Sequence, residues 1–155
     1  MAGQLWLLRH GEAEHHGARE DSERRLTERG QEQSRAAGRA LEELGVAFQL
    51  VLTSPKVRAL QTAQLACEAL GAAPVVHQPL ASGFDRAAAL EAVAMCGADQ
   101  RVLVVGHNPD FEQVLHDLTG ARAEMKKGGV AGIRLRGGTG ELIALLRPRE
   151  LARTS

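Results

Sequence analysis

The chain has 155 residues, which predicts a single domain over 1–155 with enough length to bury a sizeable core. Apolar residues make up 44% and charged residues 25%, ordinary for a folded soluble protein and against disorder or a membrane protein. Lysine plus arginine (19) balances aspartate plus glutamate (19), which argues against the basic stripe of a nucleic-acid binder and predicts that any bound anion is met by a local cluster.

Residues 4–8 read as a short apolar strand, buried on both faces. The apolar stretch before Arg9 is too short for a secretory signal, whose core runs about 7–15 residues, and nothing approaches a membrane span, so a cytoplasmic location is expected. Residues 15–25 are crowded with charge and lack periodicity, which predicts a surface loop. Thr27 can cap a helix over 28–44, where Ala37, Ala40, Leu41 and Leu44 recur at helical spacing and Gly45 stops it.

A second strand follows over 48–53. Ser54-Pro55 then reads as cap plus first helical residue, since proline's missing N–H costs nothing there. Leu60, Ala63, Leu65, Ala66 and Leu70 line that helix, and Gly71 ends it. A short strand over 74–77 and a loop over 78–84 lead to a helix near 85–95, with Asp85 as its cap. Residues 101–105 form the next strand. Asn108-Pro109 repeats the helix start, for a helix running to about Thr119 and closed by Gly120. Residues 130–135 and 141–146, joined by Gly137-Gly138-Thr139-Gly140, read as an antiparallel hairpin, and the last residues as a tail. Strands alternating with helices predict an α/β fold, a three-layer α/β/α sandwich with a mostly parallel central sheet and an antiparallel C-terminal hairpin.

Three segments follow three of these strands: Leu7-Leu8-Arg9-His10-Gly11, Leu52-Thr53-Ser54-Pro55-Lys56-Val57-Arg58 and Val105-Gly106-His107-Asn108-Pro109. In a parallel sheet they meet at the carboxyl edge, where open α/β folds bind ligands. A transferring phosphoryl group spreads negative charge over its oxygens, so its site needs fixed positive charge and a placed nucleophile. Arg9, Arg58 and His107 can supply the charge, and two helix starts add oriented N–H groups, with Asn108 beside them. His10 is then the expected nucleophile, its pKa lowered by neighbouring positive charge so that a lone pair stays free. Gly11 is expected to remove a side chain where phosphate approaches.

Taken together, these residues resemble the histidine phosphatase superfamily, which includes the phosphoglycerate mutases, and especially its small SixA-like phosphohistidine phosphatases. Arg9-His10-Gly11 is similar to the family's signature tripeptide, and Leu26-Thr27-Glu28-Arg29-Gly30 to its helix entry. The run from Ser54 to Ala63 resembles its second-arginine motif, and Gly106-His107 its second-histidine motif. The resemblance implies a phosphoglycerate mutase-like fold and transient phosphorylation of His10. It also implies that Arg9, Arg58 and His107 hold the phosphate, that water releases it, and that no metal or other cofactor takes part.

Larger relatives carry a glutamate general acid after the third strand, and here Gln78-Pro79-Leu80-Ala81-Ser82-Gly83-Phe84 has no carboxylate. Asp85, which also reads as a helix cap, and Glu12, which also reads as a solvated loop charge, are the acids left to consider. An alkoxide leaving group needs a proton, whereas imidazole, with a reference pKa near 6.5, departs more readily. The sequence therefore points to phosphohistidine on a protein as the substrate. A phosphomonoesterase for small metabolites or for phosphoserine and phosphothreonine is the alternative, and a non-catalytic phosphate sensor a third reading. A monomer is expected, with no nucleic-acid or membrane partner.

Cys67 and Cys96 read as reduced thiols. His15-His16 reads as solvated rather than metal-binding. Lys126-Lys127 before Gly128-Gly129 reads as a soluble loop, its other use being to meet an acidic protein partner.

Overall fold

The computed structural model describes residues 3–153. Its six strands are β1 (Gln4–Arg9), β2 (Leu50–Thr53), β3 (Val75–Val76), β4 (Arg101–Gly106), β5 (Val130–Arg136) and β6 (Thr139–Leu146). They form one sheet in the order β3-β2-β4-β1-β5-β6. β1 to β4 run parallel, β5 is antiparallel to β1, and β6 is antiparallel to β5. Five helices accompany them: α1 (Glu28–Glu43), α2 (Val57–Leu70), α3 (Arg86–Ala94), α4 (Asp110–Thr119) and α5 (Pro148–Leu151).

Side chains alternate across a strand, and here both faces are covered, which is why the central strands read as unbroken apolar runs. Leu5, Leu7, Leu52, Val102 and Val104 pack with Ala89 and Ala92 of α3 and with Phe111, Val114 and Leu115 of α4. Trp6, Leu8, Val51, Leu103 and Val105 pack with Ala37, Ala40 and Leu41 of α1 and with Ala59, Ala63 and Ala66 of α2 on the other face. The chain thus leaves β1 toward one face and β4, its neighbour, toward the other. A crevice opens at the carboxyl ends of these two strands, the place where such sheets take ligands.

The small residues of α1 and α2 let the helices approach closely. A Cβ on Gly38 would overlap the Ala66 carbonyl oxygen, so only glycine fits there. The loop after β1 is held just as tightly. Thr27 caps α1 by accepting the Gly30 N–H at 3.0 Å, while the Thr27 N–H donates to the Glu12 carbonyl at 3.0 Å. A Cβ on Gly30 would overlap that carbonyl, and one on Gly11 would lie 2.6 Å from the Gly30 carbonyl oxygen. Gly11 is therefore required by the packing of its turn on α1, a reason the sequence did not suggest.

Both proline-marked helix starts lie later than expected. α2 begins at Val57 with Lys56 at its cap, because Lys56 is still extended (ψ 136°), and the Ser54 hydroxyl accepts the Lys56 N–H at 3.1 Å in the turn before it. α4 begins at Asp110 with Pro109 at its cap, because Asn108 turns its amide to the Glu112 carboxylate (2.7 Å) and the Met125 carbonyl (3.2 Å). The hairpin link is shorter than expected. Arg136 faces Thr139 across Gly137-Gly138, and Gly137 takes the positive φ of +63° that tight hairpin loops favour. The expected tail is in part the short helix α5, whose Leu151 is buried with the α1 side of the core.

Gly38→Val should lower the free energy of unfolding in urea by about 1–3 kcal/mol, the usual cost of overpacking, because two backbones must part to admit it. An unchanged midpoint would show that α1 and α2 are not held this closely.

Candidate active site

A cleft of about 350 Å³ opens at the carboxyl edge, and Arg9, His10, Arg58, His107 and Asn108 all line it. Each arrives from a different piece of the scaffold. Arg9 ends β1, His10 follows it, Arg58 lies in the first turn of α2, and His107 follows β4. The register pairs Arg9 with Gly106, so the residues after these strands come out side by side, and the two imidazole rings lie 5.3 Å apart.

The His10 ring is fixed by one hydrogen bond. Its Nδ1 lies 2.7 Å from the Gly11 carbonyl oxygen. A carbonyl can only accept, so Nδ1 carries the proton and Nε2 keeps its lone pair. The His10 pKa is pushed down to about 3, first by burial, with the charges of Arg58, Arg9 and Lys127 adding to it against the Gly11 hydrogen bond. Burial thus outweighs the positive charge expected to be the cause. His107 is likewise lowered to about 3, first by burial and then by His10, Arg58 and Lys56. Its Nε2 lies 2.8 Å from the Ser54 hydroxyl, so the serine that accepts the Lys56 N–H also orients a ring.

Arg58 is 5% exposed and paired. Its guanidinium donates to the Asp21 carbonyl at 2.6 Å and the Asp21 carboxylate at 3.2 Å. Arg24 donates to the same carboxylate at 3.0 Å, and Lys56 lies 3.6 Å from it. Burial alone would raise the Asp21 carboxyl, but the hydrogen bonds and charges of Arg24 and Arg58 pull it down to about 2. Arg9 donates to the Met125 carbonyl at 2.9 Å. Burial lowers the pKa of both arginines. Among the described residues, four buried side-chain polar atoms nevertheless have no partner: the donors Arg9 Nε and Arg58 Nε, His107 Nδ1, and the acceptor Asn108 Oδ1. All belong to residues of this cleft. Unpaired buried polar groups are costly, and the two guanidinium N–H groups are donors that an anion could satisfy.

The two acids singled out in the sequence stand elsewhere. Glu12 accepts the Thr27 hydroxyl at 2.9 Å and lines a neighbouring basin, and Asp85 caps α3 by accepting the Ala88 N–H at 2.9 Å; neither lines the cleft. The carboxylates that do line it are Asp21 and Asp110. Asp110 Oδ2 accepts the N–H groups of Gly83 and Phe84 at 2.9 and 3.2 Å, tying down the 78–84 segment. Asp21, Arg24, Lys56 and Lys127 were not anticipated. The segment 15–25 read as a solvated loop, and its one signal was an acid three residues before an arginine. In the fold Arg24 is buried there, in the short 3-10 turn region around Asp21–Glu23. Among the described residues no group of three or more His, Cys, Asp or Glu side chains is placed to hold a metal ion, and His16 is solvated at the cleft rim. Both cysteines are free, and burial pushes the Cys67 thiol up to about 11.

This arrangement belongs to a recognised class. The family model of the histidine phosphatase superfamily (branch 1) matches residues 5–82, and the chain belongs to that superfamily. It is a phosphatase of the phosphoglycerate mutase-like fold. The chain is 36% identical over 139 residues to an uncharacterised protein of Picosynechococcus sp., covering 84% of each. It also superimposes on the protein histidine phosphatase SixA complexed with tungstate, with a TM-score of 0.80 and 26% identity, covering 96% of this chain and 99% of that one. A 2,3-bisphosphoglycerate-dependent phosphoglycerate mutase of Sinorhizobium fredii is 40% identical over 77 residues, which are 46% of this chain and 35% of that enzyme.

The two depressed imidazoles have a measurable consequence. The unfolded chain binds more protons than the folded one between the ordinary histidine value of 6.5 and about 3. Their contribution to stability is therefore complete above 6.5 and is lost as pH falls through that window. Urea unfolding of wild type should weaken more steeply from pH 6.5 to 4 than that of a His10→Asn/His107→Asn double variant. Equal slopes would mean that both rings take up protons as readily in the folded protein as in the unfolded chain.

Proposed function

We propose that the protein hydrolyses phosphohistidine on a protein partner through a phosphorylated His10. The observation that carries this reading is the paired condition of the cleft: an imidazole with a free Nε2 beside two guanidinium groups whose Nε–H donors are unpartnered, and carboxylates that are already engaged in ion pairs or backbone hydrogen bonds. Asp21 is held ionised by Arg24 and Arg58, and Asp110 is occupied as an acceptor by two backbone N–H groups.

In this reading Arg9, Arg58 and His107 hold the phosphoryl oxygens, with the Gly11 turn and Asn108 at its side. The His10 Nε2 lone pair forms a new N–P bond as the substrate's N–P bond breaks. The leaving ring departs with the electron pair as neutral imidazole once its other nitrogen carries a proton from solvent. Throughout, the His10 Nδ1–H stays on the Gly11 carbonyl and steadies the positive charge that grows on the ring. Water then attacks phosphorus and Nε2 leaves. An ester would need a proton that Asp21 and Asp110 are not placed to give.

The likeness to SixA supports the same substrate class. So does the shape of the cleft wall. Leu80 and Phe84 are buried, and the segment between them offers only the small side chains of Ala81 and Ser82 to the cleft, leaving it accessible to a side chain carried on another protein. The mutase similarity favours the alternative of a small phosphate ester, and one comparison separates the two.

His10→Ala should abolish both turnover and incorporation of labelled phosphate. Wild type should favour a phosphohistidine protein over phosphoserine and small esters in kcat/KM by about 100-fold, the low end of what a general acid supplies. Preference for an ester would defeat the leaving-group argument, and full turnover by His10→Ala would defeat the covalent step.

A further inference from the structure

Beside the cleft lies a second basin of about 520 Å³, between the turn after β1, the start of α1, the 124–127 segment and α5. Arg9, Arg29, Lys126, Lys127, Arg147 and Arg149 line it, against the carboxylates of Glu12 and Glu124. Even with Glu150 counted, which pairs with Arg147 and Arg149, the cations exceed the acids by three, in a chain whose formal net charge is zero. The basin and the cleft share Arg9 and Lys127, so the positive field runs without a break from one to the other. Nothing in the chemistry described above uses this second surface.

We infer that the basin seats an acidic segment of the substrate protein beside its phosphorylated residue. This rests on the reading of the cleft as a site for phosphorylated protein and adds how that protein is chosen. A concentration of one charge at the rim of a site acts mainly on encounter and partner choice. Two features favour a short acidic segment over a nucleic acid. The cations gather in one basin rather than along a stripe, and the chain as a whole carries no net positive charge to hold a long polyanion. The side chains that would meet the segment are exposed, Arg29, Lys126 and Arg149 at 76%, 58% and 66%, and their ion pairs with Glu12, Glu124 and Glu150 are surface pairs of the weak kind that an incoming carboxylate can replace.

The test is a triple reversal, Arg29→Glu/Lys126→Glu/Arg149→Glu, none of whose positions lines the cleft. Substrates are N-phosphoimidazole and two phosphohistidine peptides, one flanked by acidic and one by neutral residues. The variant should lose roughly tenfold or more in kcat/KM on the acid-flanked peptide alone, through KM, as expected for several exposed ion pairs removed together. In wild type, only that peptide should lose rate with added salt. Equal values for both peptides, an equal loss on all three substrates, or retention of a DNA oligonucleotide in place of the acidic peptide would overturn the inference. If the enzyme cleaves esters and not N-phosphoimidazole, the reading of the substrate fails. The same flank comparison on phosphoserine peptides then decides the basin independently.

Discussion

The cost of burying like charge organises this molecule. Two guanidinium groups and two imidazoles share one cleft at the carboxyl edge of the sheet, and each is lowered in pKa chiefly because water has been taken from it. The fold meets that cost in different ways at each group. Asp21 neutralises Arg58, the Met125 carbonyl takes one arm of Arg9, the Gly11 carbonyl sets the His10 tautomer, and the Ser54 hydroxyl fixes His107. What remains unpaired includes the Nε–H of both arginines, and in the proposed reading those donors find their partner in the phosphoryl group.

Such an arrangement survives only on a rigid base. The glycines of the turn after β1 and of α1 are part of that base, because Gly11, Gly30 and Gly38 let backbones meet where a side chain would hold them apart. The Leu26-Thr27-Glu28-Arg29-Gly30 motif thus has a physical reason that involves no substrate. Thr27 and Gly30 clamp the backbone of Glu12, and the clamp holds the Arg9-His10-Gly11 turn against α1. Any influence of the motif on chemistry is indirect, through the position of His10.

The absence of a carboxylate after the third strand takes on a more specific meaning in the fold. The segment 78–84 has no acid of its own, yet Asp110 reaches it from α4 and is used there to anchor backbone. Glu12 is occupied by Thr27 and Asp85 by its own helix. Each of these three acids therefore has a structural duty, and the proposed preference for a phosphoramidate over an ester rests on that.

The sequence by itself determined the alternation of strands and helices, the central core and the four residues Arg9, His10, Arg58 and His107, because period and helix punctuation are local and the motifs are contiguous. It placed helix starts two residues early at Pro55 and one residue early at Pro109, since a cap is decided by where a side chain finds its partner, and Ser54 and Asn108 found theirs across the fold. Asp21, and the gathering of Arg29, Arg147 and Arg149 around the Lys126-Lys127 pair that the sequence singles out, were beyond it for the same reason. Arg58 meets Asp21 across 37 residues, and Arg147 and Arg149 join Arg29 in one basin only because Leu151 docks on the core. Only the tertiary structure decided which charges are neighbours, for charge acts through distance in space, and the chain order does not carry that distance.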